Sequence, residues 1–411
     1  MDKKNNYRIG MVLDDRFPPD GRVEKEIRSL TSAGFTVFLL CFRFGDENEE
    51  SDFYGAKIIR IRINRKLSRK LRALTNTIFD IYTAYWCRNM VEFVKKYNLE
   101  ILHIHDLYLV GAALKAKKKL GNGVKVCGDL HENYADALKY YKFSNTFPGN
   151  ILISVKKWQL TEKKWLSQLD RAVVVVEEMK NRIAGDIASE QVFVCENCPE
   201  IVSFQGEKND NKIIEKYKDK FVLSYIGAFD WHRGIDTLLR AISELKTIEN
   251  LVVCIVGTGK IALELEALAV KLGIREKVYF EGWQPPDILP DYFRISNIGI
   301  IPHKKSVQTD NSSPNKLYQY MYYEVPVIAT NCMSLERILK ETGAGLIYQS
   351  DNHQDLTIQI KKLFNDVELR ENMKLKGKRA IIEKYNWETS SEGLVKMYND
   401  LSITSKIKVE N

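Results

Sequence analysis

Short apolar runs alternate with amphipathic helical segments along most of this sequence. Each run is apolar over its whole length, which is typical of strands in a parallel sheet that is covered on both faces. The segments between the runs can supply that cover as right-handed helical crossovers. The runs lie at 8–13, 35–41, 57–63, 101–105, 124–127, 171–176, 221–226, 251–256, 278–280, 298–301 and 325–329. The pattern predicts an α/β fold with doubly wound, Rossmann-like sheets.

A polar stretch at 206–211 interrupts this rhythm once. The 411 residues exceed what one hydrophobic core usually serves, and a hydrophobic content of 45% supplies material for two cores. We therefore predict a first domain at 1–205 and a second at 206–385. The remaining segment, 386–411, is predicted to be a helix and tail that return toward the first domain.

Composition narrows the class of protein. The formal charge of +8 favours contact with phosphates, nucleic acid or anionic lipid. No zinc-finger spacing or RNA-binding aromatic motif is present, which argues against nucleic acid as a partner. The sequence shows no signal-peptide core and no apolar stretch long enough to span a bilayer. Its seven cysteines are odd in number and scattered, as in a reducing compartment, so a cytoplasmic location is predicted.

Several loops of the first half follow predicted strands, where ligands collect in open parallel sheets. Gly21 opens a helix whose N-terminus could bind a phosphate, although an ordinary turn explains it equally well. His105 and Asp106 end one strand, and His131 and Glu132 follow the next. His103 and His105 could suggest a metal, but no fourth ligand stands at a recognisable spacing, so no metal site is predicted.

The second half offers two ways to bind a diphosphate. The stretch from Gly257 to Ala262 matches G-x-G-x-x-A, and Glu281 ends the next strand, as in enzymes that bind NAD. This makes an NAD-dependent oxidoreductase the main alternative. The other possibility uses Arg233, before one helix, and Lys316, in a small polar loop before another.

Five segments, taken in order, resemble glycosyltransferase family 4, the large group of retaining GT-B enzymes. They are DRFPPDGRVEKEIRSL from Asp15, DLHENY from Asp129, GAFDWHRGIDTLL from Gly227, VYFEGW from Val278 and SSPNKLYQYM from Ser312. The resemblance covers nearly the whole chain and implies two Rossmann-like domains facing across a cleft. It also implies transfer of a hexosyl-type sugar, with retention, from a nucleotide-diphosphate sugar to a glycan or lipid-linked acceptor. In this family the VGTGK turn is structural, which would explain its glycines without NAD.

The resemblance also implies roles for individual residues. It implies no metal and no cofactor beyond the donor, whose nucleotide could be UDP, GDP or dTDP. Catalysis falls to His131, Arg233 and Lys316, and the acceptor side to His105, Asp106 and Glu132. The implied donor-binding residues are Gly21, Gly282, Trp283, Asn311, Ser312, Ser313, Asn315 and Gln319. The family's usual pair of glutamates is replaced here by Asn311 and Gln319, so a non-catalytic sugar-nucleotide-binding relative is a further alternative.

Basic residues between 65 and 82 accompany Leu67, Leu71, Leu74 and Ile78 at helical spacing. This predicts a basic amphipathic helix that contacts an anionic membrane surface, which would place the protein peripherally on the inner face of the cell membrane. A helix packed on the core with a solvated basic face is an equal alternative. A role in surface polysaccharide or glycolipid biosynthesis follows from the family resemblance alone.

Overall fold

The computed structural model describes residues 7–121, 123–141, 143–201 and 211–407. The chain divides into two compact units. Unit 1 comprises Met1–Glu196 together with Ser390–Asn411, and unit 2 comprises Asn197–Thr389. Within the described ranges, no helix is both long enough and apolar enough to cross a membrane.

Unit 1 is built on an eight-stranded sheet. Its strands are β1 (Arg8–Arg16), β2 (Thr36–Arg43), β3 (Glu50–Phe53), β4 (Ala56–Arg62), β5 (Ile101–His105), β6 (Lys125–Leu130), β7 (Arg171–Val174) and β8 (Val192–Val194). The order is β3-β4-β2-β1-β5-β6-β7-β8, and all pairs are parallel except β3 with β4. The direction of winding reverses between β1 and β5, where a doubly wound sheet opens its binding crevice.

Nine helices surround this sheet in the described part of the chain. They are α1 (Gly21–Ser32), α2 (Arg65–Ala73), α3 (Tyr82–Tyr97), α4 (Leu107–Lys119), α5 (Tyr134–Ala137), α6 (Gly149–Leu152), α7 (Val155–Leu166), α8 (Glu177–Ile183) and, from Ser390 onward, α18 (Trp387–Ile407). Helix α3 buries Trp86 and Met90 in the core, where Trp86 packs against Phe42 of β2. The last helix is fastened to the sheet by Tyr398, whose hydroxyl lies 2.6 Å from Nδ1 of the buried His103.

Unit 2 repeats the architecture with six strands, all parallel, in the order β11-β10-β9-β12-β13-β14. The strands are β9 (Phe221–Ile226), β10 (Leu251–Val256), β11 (Val278–Gly282), β12 (Ile298–Ile301), β13 (Val327–Thr330) and β14 (Gly345–Tyr348). The helices are α9 (Asn211–Lys216), α10 (Ile235–Ser243), α11 (Ala262–Lys271), α12 (Leu289–Arg294), α13 (Val307–Asp310), α14 (Asn315–Tyr322), α15 (Met333–Thr342), α16 (His353–Asn365) and α17 (Val367–Glu383). The winding reverses between β9 and β12, so the loops that follow these two strands flank the crevice.

The predicted α/β class with two doubly wound parallel sheets is confirmed. The helix predicted from the 65–82 pattern is shorter than the spacing suggested, because α2 ends at Ala73. Leu71 packs against the core of unit 1, whereas Ile78 lies beyond the helix and is 84% exposed. The helical apolar stripe therefore does not continue to Ile78.

Candidate functional site

Two loops at the crevice of unit 2 bring Arg233 and Lys316 together. Strand β9 leads into Gly227, and the chain then makes a short 3-10 turn, Trp231–Arg233, before α10 begins. Lys316 stands in the first turn of α14, after the polar loop that follows α13. Arg233 contributes to the lowered pKa of Lys316 by charge repulsion, so the two cations share one site.

Lys316 is buried, and its ammonium group faces an aromatic ring. Its Nζ lies 3.9 Å from the centroid of the Tyr225 ring. Burial, reinforced by the charge of Arg233, holds the pKa of Lys316 well below its ordinary value. Among the residues that the structure describes, no carboxylate oxygen lies within 4.0 Å of Lys316 Nζ or of the Arg233 guanidinium. A buried cation without a partner is costly, and an anionic ligand would remove that cost.

His303, which follows β12, completes this cluster and was missed by the sequence analysis. Arg233 Nη1 lies 3.1 Å from His303 Nε2. Burial, with the charges of Lys316 and Arg233, holds the pKa of His303 well below its ordinary value, so the neutral ring can accept this hydrogen bond and orient the guanidinium. We call Arg233, Lys316, His303 and Tyr225 the cation cluster.

Glycine at position 227 is required by the cation cluster. Its φ of 147° lies in the region that other residues rarely adopt, and a Cβ there would stand 2.6 Å from Lys316 Nζ. The glycines of the 257–262 turn have a different reason. A Cβ at Gly257 would stand 2.0 Å from Gly227 O, and one at Gly259 would stand 2.0 Å from Phe229 O. These glycines let two neighbouring loops touch.

Glu281, the acid that would complete an NAD site, is already engaged. Lys216 Nζ lies 2.6 Å from its Oε1, and the hydroxyls of Tyr217 and Tyr292 donate to the same carboxylate at 2.5 and 3.2 Å. These contacts tie β11 to α9 and α12. Glu281 therefore serves the packing of unit 2.

The remaining predicted donor residues of unit 2 line loops at the same sheet edge. Asn315 begins α14, and Gln319 lies one turn after Lys316 on the same helix, with a half-buried side chain. Asn311 is buried and donates from Nδ2 to Val307 O at 2.6 Å, so its amide closes the end of α13.

The other four positions are two serines and two residues at the end of β11, Gly282 and Trp283. Ser313 donates to the Tyr318 hydroxyl at 2.9 Å, and the backbone oxygen of Ser312 accepts from Ser334 at 2.5 Å. Gly282, with a φ of 66°, ends β11, and Trp283 behind it is 68% exposed.

Gly21 lies in unit 1 and begins α1. The side chain of Asp20 accepts from the backbone N–H groups of Arg22 and Val23. This cap already satisfies two of the donors that were predicted to bind a phosphate.

His131, at the end of β6, is held between two acids in unit 1. Its Nε2 lies 2.7 Å from Asp129 Oδ2, and its Nδ1 lies 3.7 Å from Asp106 Oδ1. Burial alone would lower the pKa of His131, but the charge of Asp129, then that of Asp106, raises it to about 9. The ring is therefore an imidazolium at neutral pH. His105 Nδ1 lies 3.3 Å from His131 Nε2, so two predicted site residues meet here.

Asp129 belongs to a buried network of charged side chains. Arg22 Nη2 lies 3.0 Å from Asp129 Oδ1, and Arg22 Nε lies 2.8 Å from Glu26 Oε1. His103 Nε2 lies 3.4 Å from Glu26 Oε2. Burial opposes charging of His103, but bonds to Asp129 and Glu26 raise its pKa to about 9. Sequence analysis missed Glu26 and Arg22 because they lie a turn apart on a helix, far along the chain from Asp129.

Four residues of this network, Glu26, His103, His105 and Asp129, present ligand atoms within 4.8 Å of one another, as a metal site would. All four are buried, and the Arg22 guanidinium already contacts both carboxylates. The protein itself therefore supplies a cation, the Arg22 guanidinium, to these carboxylates. The network is better suited to holding Asp129 and His131 in place than to binding a metal ion.

A cavity of about 370 Å³ in unit 1 is lined in part by Asp106, which His131 approaches, and by Glu132, which follows His131 in the sequence. Its wall combines the aromatic rings of Tyr134 and Trp158 with the charged side chains of Arg69, Asp106 and Glu132. Aromatic faces with carboxylates nearby suit a polyhydroxylated ligand, because rings cover the C–H faces of a sugar and carboxylates accept from its hydroxyls. Two of the predicted acceptor-side residues, Asp106 and Glu132, thus line one cavity.

Two residues that line this cavity, Arg72 and Tyr108, contact a second hydrogen-bonded acid, Asp14. Tyr82 and Tyr108 donate to its two oxygens at 2.8 and 2.7 Å, and Arg72 Nη1 lies 3.3 Å from Oδ1. Burial raises the pKa of Asp14 despite these contacts. The Tyr108 hydroxyl also lies 2.9 Å from Asp106 Oδ2. Asp106 has a φ of 72°, so this acid after β5 is held in a backbone conformation that residues other than glycine rarely adopt.

Comparisons with known proteins identify the family of both halves of the chain. Residues 22–198 match the family described as Glycosyltransferase Family 4, and residues 206–380 match the family described as Glycosyl transferases group 1. An uncharacterized glycosyltransferase of Methanocaldococcus jannaschii, MJ1607, is 23% identical over 316 residues, which are 74% of this chain and 76% of that protein. The capsular polysaccharide biosynthesis glycosyltransferase CapM of Staphylococcus aureus is 23% identical over 244 residues, 55% of this chain and 60% of CapM.

Among solved structures, sucrose-phosphate synthase from Thermosynechococcus elongatus matches with a TM-score of 0.75 at 15% identity, covering 97% of this chain and 100% of that one. This likeness concerns the fold, which is GT-B. The family matches to both halves favour a transferase over the oxidoreductase that the glycine turn had suggested. The chain belongs to glycosyltransferase family 4, the group 1 glycosyltransferases.

Proposed function

We propose that this glycosyltransferase moves a hexosyl-type sugar, with retention, from a nucleotide-diphosphate sugar to a glycan or lipid-linked acceptor. The observation that supports the proposal most strongly is the cation cluster, in which Arg233 and Lys316 converge without a carboxylate partner among the described residues. A diphosphate supplies the missing negative charge. CapM, by its name, acts in capsular polysaccharide biosynthesis, and we propose a similar polysaccharide or glycolipid pathway here.

The cation cluster would act most strongly on the leaving group. As the bond between the sugar C1 and the diphosphate oxygen breaks, negative charge grows on the diphosphate. Because burial holds the pKa of Lys316 below its ordinary value, an anionic diphosphate beside Nζ would raise that pKa and favour the ammonium form. The resulting ammonium and the Arg233 guanidinium would then stabilise the charge on the departing nucleoside diphosphate. The donor residues proposed with them in unit 2 are Gly282, Trp283, Asn311, Ser312, Ser313, Asn315 and Gln319. Gly21 is the donor residue proposed in unit 1.

The acceptor step would proceed on the face of the sugar from which the diphosphate leaves. The acceptor hydroxyl oxygen forms the new bond to C1, and its proton passes to an oxygen of the departing diphosphate. His131 is poorly suited to remove that proton, since its raised pKa keeps the ring protonated at neutral pH. We assign it a positioning and charge-stabilising role, in which an N–H donates to a hydroxyl of the transferred sugar.

The cavity of about 370 Å³ in unit 1 is the proposed acceptor site. Asp106 and Glu132 would accept hydrogen bonds from acceptor hydroxyls, while Trp158 and Tyr134 provide aromatic surface for a sugar ring. His105 contacts His131 and would act through it. No cofactor or metal beyond the donor is needed in this scheme.

Replacement of the family's acidic pair keeps a second function open. Asn311 uses its amide to bind backbone, and Gln319 carries no charge. A protein that binds sugar nucleotides without transferring the sugar would retain the cation cluster but tolerate loss of the glutamates. The transferase is the stronger proposal because both halves match glycosyltransferase families and because Asp129 holds His131 in place near the proposed acceptor cavity.

Turnover of candidate donors tests the proposal. The protein is incubated with UDP-, GDP- and dTDP-hexoses, and release of nucleoside diphosphate is measured with and without glycan acceptors. At least one donor is expected to be consumed, and NMR of the product is expected to show the donor's anomeric configuration. His131→Ala and Arg233→Ala should each depress turnover, whereas Lys361→Ala, on the exposed face of α16, should not. Turnover unchanged in the first two variants contradicts the assigned roles, and binding without turnover supports the binding protein.

We also propose that the basic segment 65–82 contacts an anionic membrane surface. Such contact would bring the enzyme to the inner face of the cell membrane, where lipid-linked acceptors are found. Its observable consequence is association with vesicles that contain anionic lipid.

A further inference from the structure

The last helix, α18, carries one polar side chain in a buried apolar stripe. Leu394, Met397 and Leu401 are buried at helical spacing, as in a helix that packs on a core through one face. Tyr398 belongs to the same stripe and is fully buried, with its ring centroid 5.5 Å from that of Phe35. Phenylalanine would fill this position without burying a polar atom, which is unfavourable unless the atom has a hydrogen-bond partner. The hydroxyl of Tyr398 therefore needs an explanation other than packing.

A glycine in the interior of α18 lets this helix come close to the sheet of unit 1. A Cβ at Gly393 would stand 2.7 Å from the backbone oxygen of Val194, the last residue of β8. Glycine is unfavourable in a helix interior, and the close approach explains its presence here. One turn earlier, Ser390 Oγ donates to Glu196 O at 2.8 Å. These contacts fix the helix at a distance from which Tyr398 reaches β5.

Tyr398 contacts one ring nitrogen of His103 and thereby determines what the other nitrogen carries. The hydroxyl lies 2.6 Å from His103 Nδ1, and both side chains are buried. A neutral ring would accept from the hydroxyl at Nδ1, whereas a protonated ring would donate to its oxygen, so in both cases Nε2 carries a hydrogen. This Nε2 lies 3.4 Å from Glu26 Oε2 and 3.7 Å from Asp129 Oδ2. An N–H there attracts both acids, whereas a bare lone pair would face two carboxylates.

The oxygen of Asp129 that faces His103 also faces His131. Asp129 Oδ2 lies 2.7 Å from His131 Nε2, and Arg22 Nη2 lies 3.0 Å from the other oxygen, Oδ1. The Nε2–H of His103 attracts Oδ2 and so opposes a rotation of the carboxylate that would carry this oxygen away from His131. Tyr398 is therefore connected to His131 through two buried side chains.

We propose that Tyr398 is a positioning residue for His131: its hydroxyl fixes His103, His103 holds Asp129, and Asp129 holds the His131 ring in place for sugar transfer. The inference rests on the proposed role of His131 in that reaction. Neither Tyr398 nor His103 touches a substrate in this account, and both act through Asp129. The competing explanation is that the hydroxyl only stabilises the fold, which predicts earlier melting of a variant without it and no effect on His131.

Removal of one hydroxyl distinguishes these explanations. Tyr398→Phe keeps the ring, and Tyr97→Phe is the matched control, because Tyr97 is also buried and donates to Glu50 at 2.8 Å, on the edge strand β3. Thermal melting of both variants measures the cost to the fold. NMR of histidine-labelled protein measures exchange of the His131 Nε2–H with water, which reports how firmly Asp129 holds the ring and needs no turnover. The His131 signal is identified by its absence from His131→Ala. The kcat and the donor KM are measured for a donor that wild type consumes.

Tyr398→Phe is expected to speed exchange of the His131 Nε2–H by about tenfold or more and to lower kcat by about tenfold, with a donor KM within about twofold of wild type. His103→Asn keeps a polar group near the position of Nδ1 but has none at that of Nε2, so it should show the same effects on exchange and kcat. Tyr97→Phe should leave exchange, kcat and KM at their wild-type values even if it melts earlier.

Wild-type exchange of the His131 Nε2–H in Tyr398→Phe or in His103→Asn overturns the inference. Faster exchange without a fall in kcat also overturns it, as does an equal effect in Tyr97→Phe. If wild type consumes no donor, the proposed function fails, and the exchange rate alone then decides whether Tyr398 positions His131.

Discussion

Replacing Lys316 with methionine is expected to weaken nucleoside diphosphate binding while leaving the empty protein at least as stable as wild type. Methionine keeps an unbranched stem beside the Tyr225 ring, where Lys316 Nζ now lies 3.9 Å from the centroid. A hydrogen bond between charged groups contributes about 1.5–3 kcal/mol, which corresponds to an affinity loss of about 10- to 100-fold. The empty protein loses only a buried amine with no ionic partner among the described residues.

Lys316→Met is also expected to change how the free energy of unfolding depends on pH. The pKa of Lys316 in the folded protein lies well below the ordinary 10.5, so between these two values the unfolded chain binds more protons than the folded chain. The free energy of unfolding contributed by Lys316 therefore increases as pH rises through that interval. In Lys316→Met this part of the pH dependence should disappear.

Isothermal titration calorimetry with the accepted nucleoside diphosphate provides the assay. Run in buffers of different ionisation enthalpy, it should show proton uptake on binding for wild type and less uptake for Lys316→Met. Lys260→Met is the matched control, because Lys260 lies in the neighbouring turn with its side chain 80% exposed. An unchanged dissociation constant in Lys316→Met, or an equal loss in Lys260→Met, would refute the reasoning.

Three further predictions concern His131 and Gly227. If the imidazolium form of His131 is the active one, kcat/KM should fall as pH rises through about 9, the raised pKa of His131, and a flat profile across that range would count against the role. Asp129→Asn removes the main charge that raises this pKa, so in the fraction that remains folded by circular dichroism the descending limb should move to lower pH; an unmoved limb would show that Asp129 does not set it. Gly227→Ala should destabilise the protein by about 1–3 kcal/mol and weaken nucleotide binding, since its φ of 147° and the 2.6 Å approach to Lys316 leave no room for a Cβ. Gly21→Ala is its control, with no atom within 4 Å of the added carbon, and equal melting temperatures for the two variants would contradict the assignment.

The alternation of apolar runs and helical segments predicted the two sheets well, because parallel strands buried on both faces have a strong signature. The runs at 101–105, 221–226, 251–256 and 298–301 coincide with β5, β9, β10 and β12. Three strands, β3, β8 and β14, were missed. Strand β14, GLIY, is apolar but has only four residues and lies at a sheet edge. Strand β3, ESDF, is polar and lies at a sheet edge, and β8 has only three residues.

The site was predictable where one side chain follows a strand or opens a helix, as His131 and Lys316 do. It was not predictable where the function depends on contacts between distant segments. His303 is a candidate site residue only because its Nε2 lies 3.1 Å from Arg233 Nη1. Arg22 is one only because it forms an ion pair with Asp129. The helical spacing that ran to Ile78 was misleading, since no local signal showed that the helix would end at Ala73.

The central claim is that Arg233 and Lys316 together hold the diphosphate of the donor. Thermal shift of wild type and of Arg233→Ala/Lys316→Met against UDP, GDP, dTDP and NAD tests it most directly. We predict that at least one nucleoside diphosphate at about 100 times its dissociation constant stabilises the wild type by about 2.7 kcal/mol, that NAD does not, and that the double variant shows no shift at the same concentration. A shift of equal size in the double variant, or a wild-type response to NAD alone, would contradict the account.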